Sequence, residues 1–172
     1  MLNERVHEAI NAQINAEMWS AYLYLAMSMD AEAKGYKGVA NWFFIQYREE
    51  LDHAHIFMNY LNSRDAKVEL RSIEAVPTEW NSVQEMYRDT LAHEQKVTAL
   101  INAIGALANE VNDFATANRM AWFIDEQVEE EENAREMLAS AEAVEDNKYG
   151  MYMLDKELAG RTYTTPGPLA SK

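Results

Sequence analysis

The chain has 172 residues, ten methionines, no cysteine and a formal net charge of -14 at pH 7. This length suits one core, and the lack of cysteine excludes disulfides, thiolate metal sites and iron–sulfur clusters. The acidic balance argues against nucleic acid or an anionic membrane as a partner. Since no apolar run approaches the roughly 18 residues of a membrane span and no signal region is evident, we expect a cytoplasmic protein.

The period of the apolar residues predicts five helices. The first covers about residues 3–33, with Asn3 as its N-cap, and the second about 38–63. The third begins near Ser82, where Ser82-Val83-Gln84-Glu85 matches a capping box, and ends near 108. The fourth runs from 112 or 113 to about 143. A short fifth helix, about 147–159, precedes a Thr- and Pro-rich tail that we expect to be flexible.

The lengths of the connections indicate how the helices are arranged. The turns after the first and third helices are short, so each pair should form an antiparallel hairpin. The link over 64–81 spans over 50 Å at about 3.3 Å per residue, whereas a 26-residue helix is about 40 Å long. An ordinary surface loop is the alternative to a crossover. We predict an all-α four-helix bundle over 1–160 with one long crossover and a short fifth helix, followed by a flexible tail over 161–172.

Carboxylates interrupt the apolar stripe of each long helix near its midpoint. In a bundle of nearly equal helices these midpoints meet at one level, and burying each charge without compensation costs several kcal/mol. The stripes supply only His53 as a basic partner. We therefore predict a pair of metal ions bound by four glutamates: Glu17, Glu50, Glu94 and Glu130.

The spacing and chemistry of these residues suit metal coordination. Glu50 and His53 lie three residues apart, so both side chains reach one ion. Oxygen ligands with one imidazole favour iron, manganese or zinc over copper. Glu50 and Glu130 are candidates for bridging two ions. Tyr24 lies on the same stripe as Glu17 and either forms a simple hydrogen bond, touches a ligand or donates an electron.

An acidic run over 125–132 borders the predicted centre. Like charges four residues apart disfavour a helix by a few tenths of a kcal/mol unless cations relieve them. Glu126 and Glu129, together with Glu49, either extend the centre towards an outer ion or lie in solvent; Glu131 and Glu132 are expected on the surface. Three histidines lie off the central positions and are also predicted to be on the surface: His7, His55 and His93.

The combined pattern resembles the bacterial non-haem ferritins up to about residue 160. The resemblance is carried by four segments and one pair: Glu17 with Tyr24, Glu49-Glu50-Leu51-Asp52-His53, Glu94-Gln95, Glu126-Gln127 with Glu130, and Asp155-Lys156-Glu157-Leu158. It implies a ferroxidase that oxidises Fe(II) with oxygen or hydrogen peroxide. It also implies a shell of twenty-four copies that stores ferric oxyhydroxide.

The resemblance also implies a role for each site residue. One iron would be bound by Glu17, Glu50 and His53. The second would be bound by Glu50, Glu94 and Glu130, with Gln127 nearby and Tyr24 close to the pair. A third iron would involve four outer carboxylates: Glu49, Glu126, Glu129 and Glu130.

Departures from related families narrow the expectation. Asp52 stands where bacterioferritins have their haem-binding methionine, so no haem is expected. The fourth helix carries Gln127-Val128-Glu129-Glu130 and lacks the second Glu-x-x-His of other di-iron bundles. Two other functions compete with that of a ferroxidase. A non-catalytic shell or nucleation subunit should lack the central ligands, and a di-metal oxygenase usually needs more chain for a substrate pocket.

Overall fold

The computed structural model describes residues 2–170, which contain six helices and no strand. The helices are α1 (Glu4–Ala33), α2 (Lys37–Ser63), α3 (Val83–Glu110), α4 (Phe114–Ala143), α5 (Lys148–Leu158) and the single turn α6 (Gly167–Ala170). The first five confirm the predicted helices, with ends within two residues; α6 was not predicted. Across the described residues, no helix is long and apolar enough to span a bilayer.

Side-chain caps fix where the long helices begin. The side chain of Asn3 accepts a hydrogen bond from the Arg5 N–H, and that of Asp113 accepts one from the Thr116 N–H. Ser82 Oγ accepts from the Glu85 N–H at 3.1 Å. The Glu85 carboxylate reaches back one residue further than in a standard capping box, to the N–H of Asn81 at 2.6 Å. Each cap satisfies an N–H group that the helix itself leaves free.

The link between α2 and α3 runs along the whole of α1. Near the start of α1, the Lys67 carbonyl lies 2.6 Å from the His7 ring. Further along, Asn15 Nδ2 donates to the Ser72 carbonyl at 3.1 Å. Near the end of α1, the N–H of Trp80 donates to Asp30 Oδ2 at 3.1 Å. The link is therefore the predicted crossover, fixed to α1 by polar contacts along its length.

Two apolar clusters fill the bundle, one on each side of its middle level. One contains Tyr24, Phe43 and Tyr87; the other contains Ile14, Phe57 and further large side chains of all four long helices. Phe57 stacks on Phe123 with their ring centroids 4.0 Å apart. These clusters keep bulk water away from the polar level between them, because protein interiors are close-packed.

Helix α5 packs closely against the first turn of α2. Asp155 Oδ1 accepts hydrogen bonds from the N–H groups of Gly38, at 2.8 Å, and Val39, at 3.0 Å. A Cβ at position 38 would lie 1.6 Å from the Asp155 carbonyl oxygen. The absence of a side chain at Gly38 therefore allows this contact between backbones.

We expect Gly38→Ala to lower the free energy of unfolding by at least about 2 kcal/mol, because α5 would have to move away from α2. Gly105→Ala is the matched control: its nearest neighbours would lie 3.8 Å away, and alanine favours a helix over glycine by about 1 kcal/mol. Urea unfolding measures both variants. Equal stability of the two would show that α5 does not depend on this contact.

The described part of the tail lies along α2. Tyr163 OH donates to Asp52 Oδ2 at 2.5 Å, and Leu169 packs against the apolar cluster that contains Phe57. Residues 171 and 172 lie outside the described part of the chain. The division into a bundle over 1–160 and a flexible tail over 161–172 stays a prediction.

Candidate metal centre

Four carboxylates are buried at the middle of the bundle, one from each long helix. Glu17 comes from α1, Glu50 from α2, Glu94 from α3 and Glu130 from α4, and none is more than 6% exposed. Helical periodicity places each of them on the stripe that also carries the core residues of its helix. The bundle therefore concentrates negative charge where the apolar clusters exclude water.

The first group of side chains belongs to α1 and α2. Glu17, Glu50 and His53 each bring one ligand atom within 4.8 Å of the others. Gln13 Nε2 donates to Glu17 Oε1 at 2.8 Å. Among the described residues, Glu17 Oε2 and Glu50 Oε2 are buried without any hydrogen bond. Unpartnered buried carboxylate oxygens are costly, and a cation bound between them would remove that cost.

The second group fixes Glu94 from two sides. Tyr24 OH donates to Glu94 Oε1, and Gln127 Nε2 donates to Glu94 Oε2 at 3.1 Å. The carboxylate is therefore oriented by helices α1 and α4. These contacts bring Tyr24 and Gln127, both named from the sequence, against the same carboxylate.

A further group lies towards the surface of α4. His53, Glu126 and Glu130 bring ligand atoms within 4.8 Å of one another, with His53 Nε2 3.9 Å from Glu126 Oε1. Glu126 is half-buried, whereas Glu129 is exposed and belongs to neither group found within residues 2–170. Glu49 lies outside these groups as well and binds Arg161 Nη2 at 2.8 Å.

Sequence reasoning missed three residues that form hydrogen bonds with the side chains of the predicted carboxylate ligands. Gln13 donates to Glu17, Gln46 Nε2 donates to Glu130 Oε2 at 2.9 Å, and Arg161 contacts Glu49. Gln46 lies on the inward stripe of α2, and that position was the available signal. Nothing in the sequence relates Arg161 to α2.

Burial dominates the electrostatics of the carboxylates. It raises the pKa of Glu49 to about 7, although Arg161 opposes the increase. Burial also raises the pKa values of Glu94 and Glu130, and raises the pKa of Glu50 far above its usual range. The metal-free centre therefore holds protons at pH values where free carboxyls have lost them.

The pKa of His53, the histidine of the centre, is also raised. Burial by itself lowers the pKa of His53, but the neighbouring carboxylates Glu126 and Glu50 raise it well above its usual range. Burial raises the pKa of Tyr24 as well, reinforced by the charge of Glu94, so its hydroxyl remains a proton donor. Metal binding would have to displace protons from His53 and from the carboxyl groups.

These shifts predict that the metal-free protein loses stability as the pH rises from about 6.5 to 8, above the range in which the lowered pKa of His93 acts in the opposite direction. A raised folded-state pKa stabilises the fold fully below the unfolded value, about 4.3 for Glu, and this contribution disappears as the pH rises through the folded value. A pKa difference of one corresponds to about 1.4 kcal/mol. Guanidinium unfolding in the presence of a chelator measures the slope, and Glu50→Gln should reduce it. A wild-type stability that rises over this range would contradict the prediction.

The off-stripe histidines have different environments. His55 is exposed, as predicted. The prediction was wrong for His93, which is partly buried with its ring 5.3 Å from Trp19 and 6.0 Å from Tyr24. Burial lowers the pKa of His93 to about 4. His7 is also partly buried, against the crossover.

Comparison with known proteins agrees with this arrangement. Residues 7–144 match the family model described as the ferritin-like domain. The chain belongs to the ferritin family. It is 35% identical over 163 residues to the bacterial non-heme ferritin of Staphylococcus aureus (strain USA300), covering 95% of this chain and 98% of that one. The bacterial non-heme ferritin of Staphylococcus haemolyticus is 36% identical over the same length, with the same coverage.

Solved ferritin structures share the fold. An open pore ferritin from the hyperthermophilic archaeon Archaeoglobus fulgidus superposes with a TM-score of 0.93 at 38% identity, over 94% of this chain and all of that one. A form of the Archaeoglobus fulgidus ferritin engineered to be closed gives 0.94 at 37% identity, over 95% of this chain and 100% of that one. Both likenesses extend over the whole bundle. The predicted family and the ferritin-like four-helix fold are thereby confirmed.

Proposed function

We propose that this member of the ferritin family stores iron and oxidises it at a two-ion centre in each chain. The observation that carries the proposal is the buried pair of carboxylate oxygens, Glu17 Oε2 and Glu50 Oε2, which have no hydrogen bond among residues 2–170. They lie beside His53 in a group whose ligand atoms are within 4.8 Å of one another. Oxygen-rich ligands with one imidazole suit iron.

Each proposed ion has three ligands, one of which is common to both ions. Glu17, Glu50 and His53 bind the first ion, and Glu94 and Glu130 bind the second, with Glu50 shared between them. Gln127 and Tyr24 orient Glu94 through the hydrogen bonds to its two oxygens. Gln46 orients Glu130 in the same way. Supporting side chains of this kind fix the direction in which a ligand points.

The chemistry follows from the charge of the ligands. Anionic oxygen ligands favour Fe(III) over Fe(II) and so favour loss of an electron from each ion. With oxygen, two Fe(II) and two protons give two Fe(III) and one hydrogen peroxide. With hydrogen peroxide as oxidant, two Fe(II) and two protons give two Fe(III) and two waters. Two ions held side by side supply both electrons, so neither oxidant is left half-reduced.

Storage requires a compartment for the product. We propose that twenty-four copies form a hollow shell in which the released Fe(III) hydrolyses to a ferric oxyhydroxide mineral. The family membership and the fold shared with the Archaeoglobus fulgidus ferritins support this proposal. Closed symmetric assembly is the usual form of a homo-oligomer.

Aerobic loading of the metal-free protein with Fe(II) tests the proposal. We expect ferric absorbance to rise faster than in buffer alone. The loaded protein should sediment as a shell with a protein mass of about 470 kDa, from twenty-four chains of 19.7 kDa, and with the iron inside. Oxidation no faster than in buffer would refute the enzymatic part. A protein that remains a monomer would refute the storage part.

A further inference from the structure

Arg161 lies just beyond α5 and folds back onto α2. Its Nη1 donates to the Trp42 carbonyl at 3.0 Å. Its Nη2 donates to Gln46 Oε1 at 2.6 Å and to Glu49 Oε2 at 2.8 Å. The guanidinium carbon lies 4.7 Å from the centroid of the Trp42 ring. The side chain is 23% exposed, so this cation is largely removed from solvent.

The backbone around Arg161 is held on both sides. Asn41 Nδ2 donates to the carbonyls of Leu158, at 3.1 Å, and Arg161, at 3.0 Å. Two residues further on, Tyr163 donates to Asp52 and has the Arg48 guanidinium 3.6 Å from its ring centroid. An exposed ion pair alone contributes little to stability. Here the Arg161–Glu49 pair is reinforced by the carbonyl and ring of Trp42 and by the Gln46 amide. The hydrogen bond from Asn41 also fixes the Arg161 backbone.

Arg161 is also connected to the candidate metal centre through Gln46. One end of the Gln46 amide accepts from Arg161, and the other end donates to Glu130 Oε2 at 2.9 Å. The cation therefore fixes which way the amide faces. Glu49 and Glu50 are neighbours on α2 but have different surroundings: Glu49 binds Arg161, whereas Glu50 Oε2 faces His53 Nδ1 at 3.5 Å and accepts no hydrogen bond from residues 2–170.

We propose that Arg161 is a specificity-determining residue that serves as the counter-cation of Glu49 and limits the centre to two metal ions. This inference rests on the proposed function. A third ion using Glu49 would lie beside a guanidinium of like charge, and such juxtaposition is unfavourable at short range. Moving the Arg161 side chain away from α2 would break its three hydrogen bonds, to Trp42, Gln46 and Glu49, and its contact with the Trp42 ring. Arg161 therefore keeps Glu49 from binding the third ion that the resemblance implies.

Titration calorimetry of the metal-free protein with Zn²⁺, which is redox-inert, tests the inference without relying on activity. We expect two ions per chain for the wild type and one additional ion for Arg161→Gln. Arg48→Gln is the matched control, because it removes the same charge from the same stretch of α2 and tail, and it should still bind two. The double variant Arg161→Gln/Glu49→Gln should return to two.

Arg161→Lys provides a check that does not depend on the loss of charge. It keeps a cation beside Glu49 and should bind two ions, even if the tail packs less well. Two ions for both the wild type and Arg161→Gln would overturn this inference and leave the proposed function intact. Three ions for the wild type would overturn it as well. A wild type that binds no ion would refute the proposed centre itself.

Discussion

Replacing Glu50 with alanine is expected to lower the initial rate of Fe(II) oxidation by at least about 100-fold. Loss of a group that merely supports a ligand costs about 10- to 100-fold in metal affinity or activity, and Glu50 is proposed to contact both ions. Its Oε2 is buried without a hydrogen bond and lies 3.5 Å from His53 Nδ1. Stopped-flow absorbance after mixing with Fe(II) in air measures the rate.

Glu132→Ala is the control for Glu50→Ala. Glu132 is exposed and lies in the acidic run of α4, so its replacement removes the same charge without touching the buried group. Its rate should stay within about twofold of wild type, since surface substitutions have small effects. Similar rates for the two variants, with native mass and helix content unchanged, would mean that oxidation does not occur at the buried carboxylates.

The bundle and its polar level were predictable because both follow from local rules. Helical periodicity placed Glu17, Glu50, Glu94 and Glu130 on inward stripes, and all four are buried. The reach of the long connection allowed a crossover but left an ordinary surface loop as the alternative, and the contacts with α1 decide for the crossover. These predictions needed only the 3.6-residue period and chain geometry. The metal-binding roles of the same residues stay a prediction.

In the acidic run over 125–132, helix geometry distinguishes Glu126 from Glu129. Residues four apart on a helix differ by only about 40° around the axis, whereas adjacent residues differ by about 100°. Glu126 is four residues from the buried Glu130 and is half-buried beside it; Glu129 is adjacent to Glu130 and is exposed. Applied to the sequence, this rule would have favoured Glu126 over Glu129 as a contributor to the centre.

Contacts between distant parts of the chain were not predictable. Arg161 meets Glu49 across 112 residues of sequence, and no period or spacing relates them. His93 was placed on the surface because it lies off the stripe of α3. Its ring is instead covered by Trp19 and Tyr24 of α1. Both cases depend on how a second helix or segment packs, which the pattern of one helix does not contain.

In the metal-free protein, the buried Glu17 carboxylate should lower the free energy of unfolding. Glu17→Gln tests this. Glu17 Oε1 accepts from Gln13, but Oε2 has no partner among residues 2–170. A glutamine at position 17 keeps the first contact and can donate to the nearby Glu50. We expect the free energy of unfolding, measured with a chelator present, to rise by about 1–3 kcal/mol. Glu132→Gln, at an exposed position, should change it by less than about 0.5 kcal/mol.

Adding Zn²⁺ should make the wild type more stable than the Glu17→Gln variant. At a Zn²⁺ concentration about 1,000 times the dissociation constant, each bound ion stabilises the wild type by about 4 kcal/mol. Glu17→Gln should gain much less at the same concentration, because one ligand of the first ion has lost its charge. A variant that is less stable than wild type without metal, yet gains as much with it, would make Glu17 a structural residue. The predicted reversal of stability would show that a bound ion, rather than contacts within the protein, compensates for burying these carboxylates.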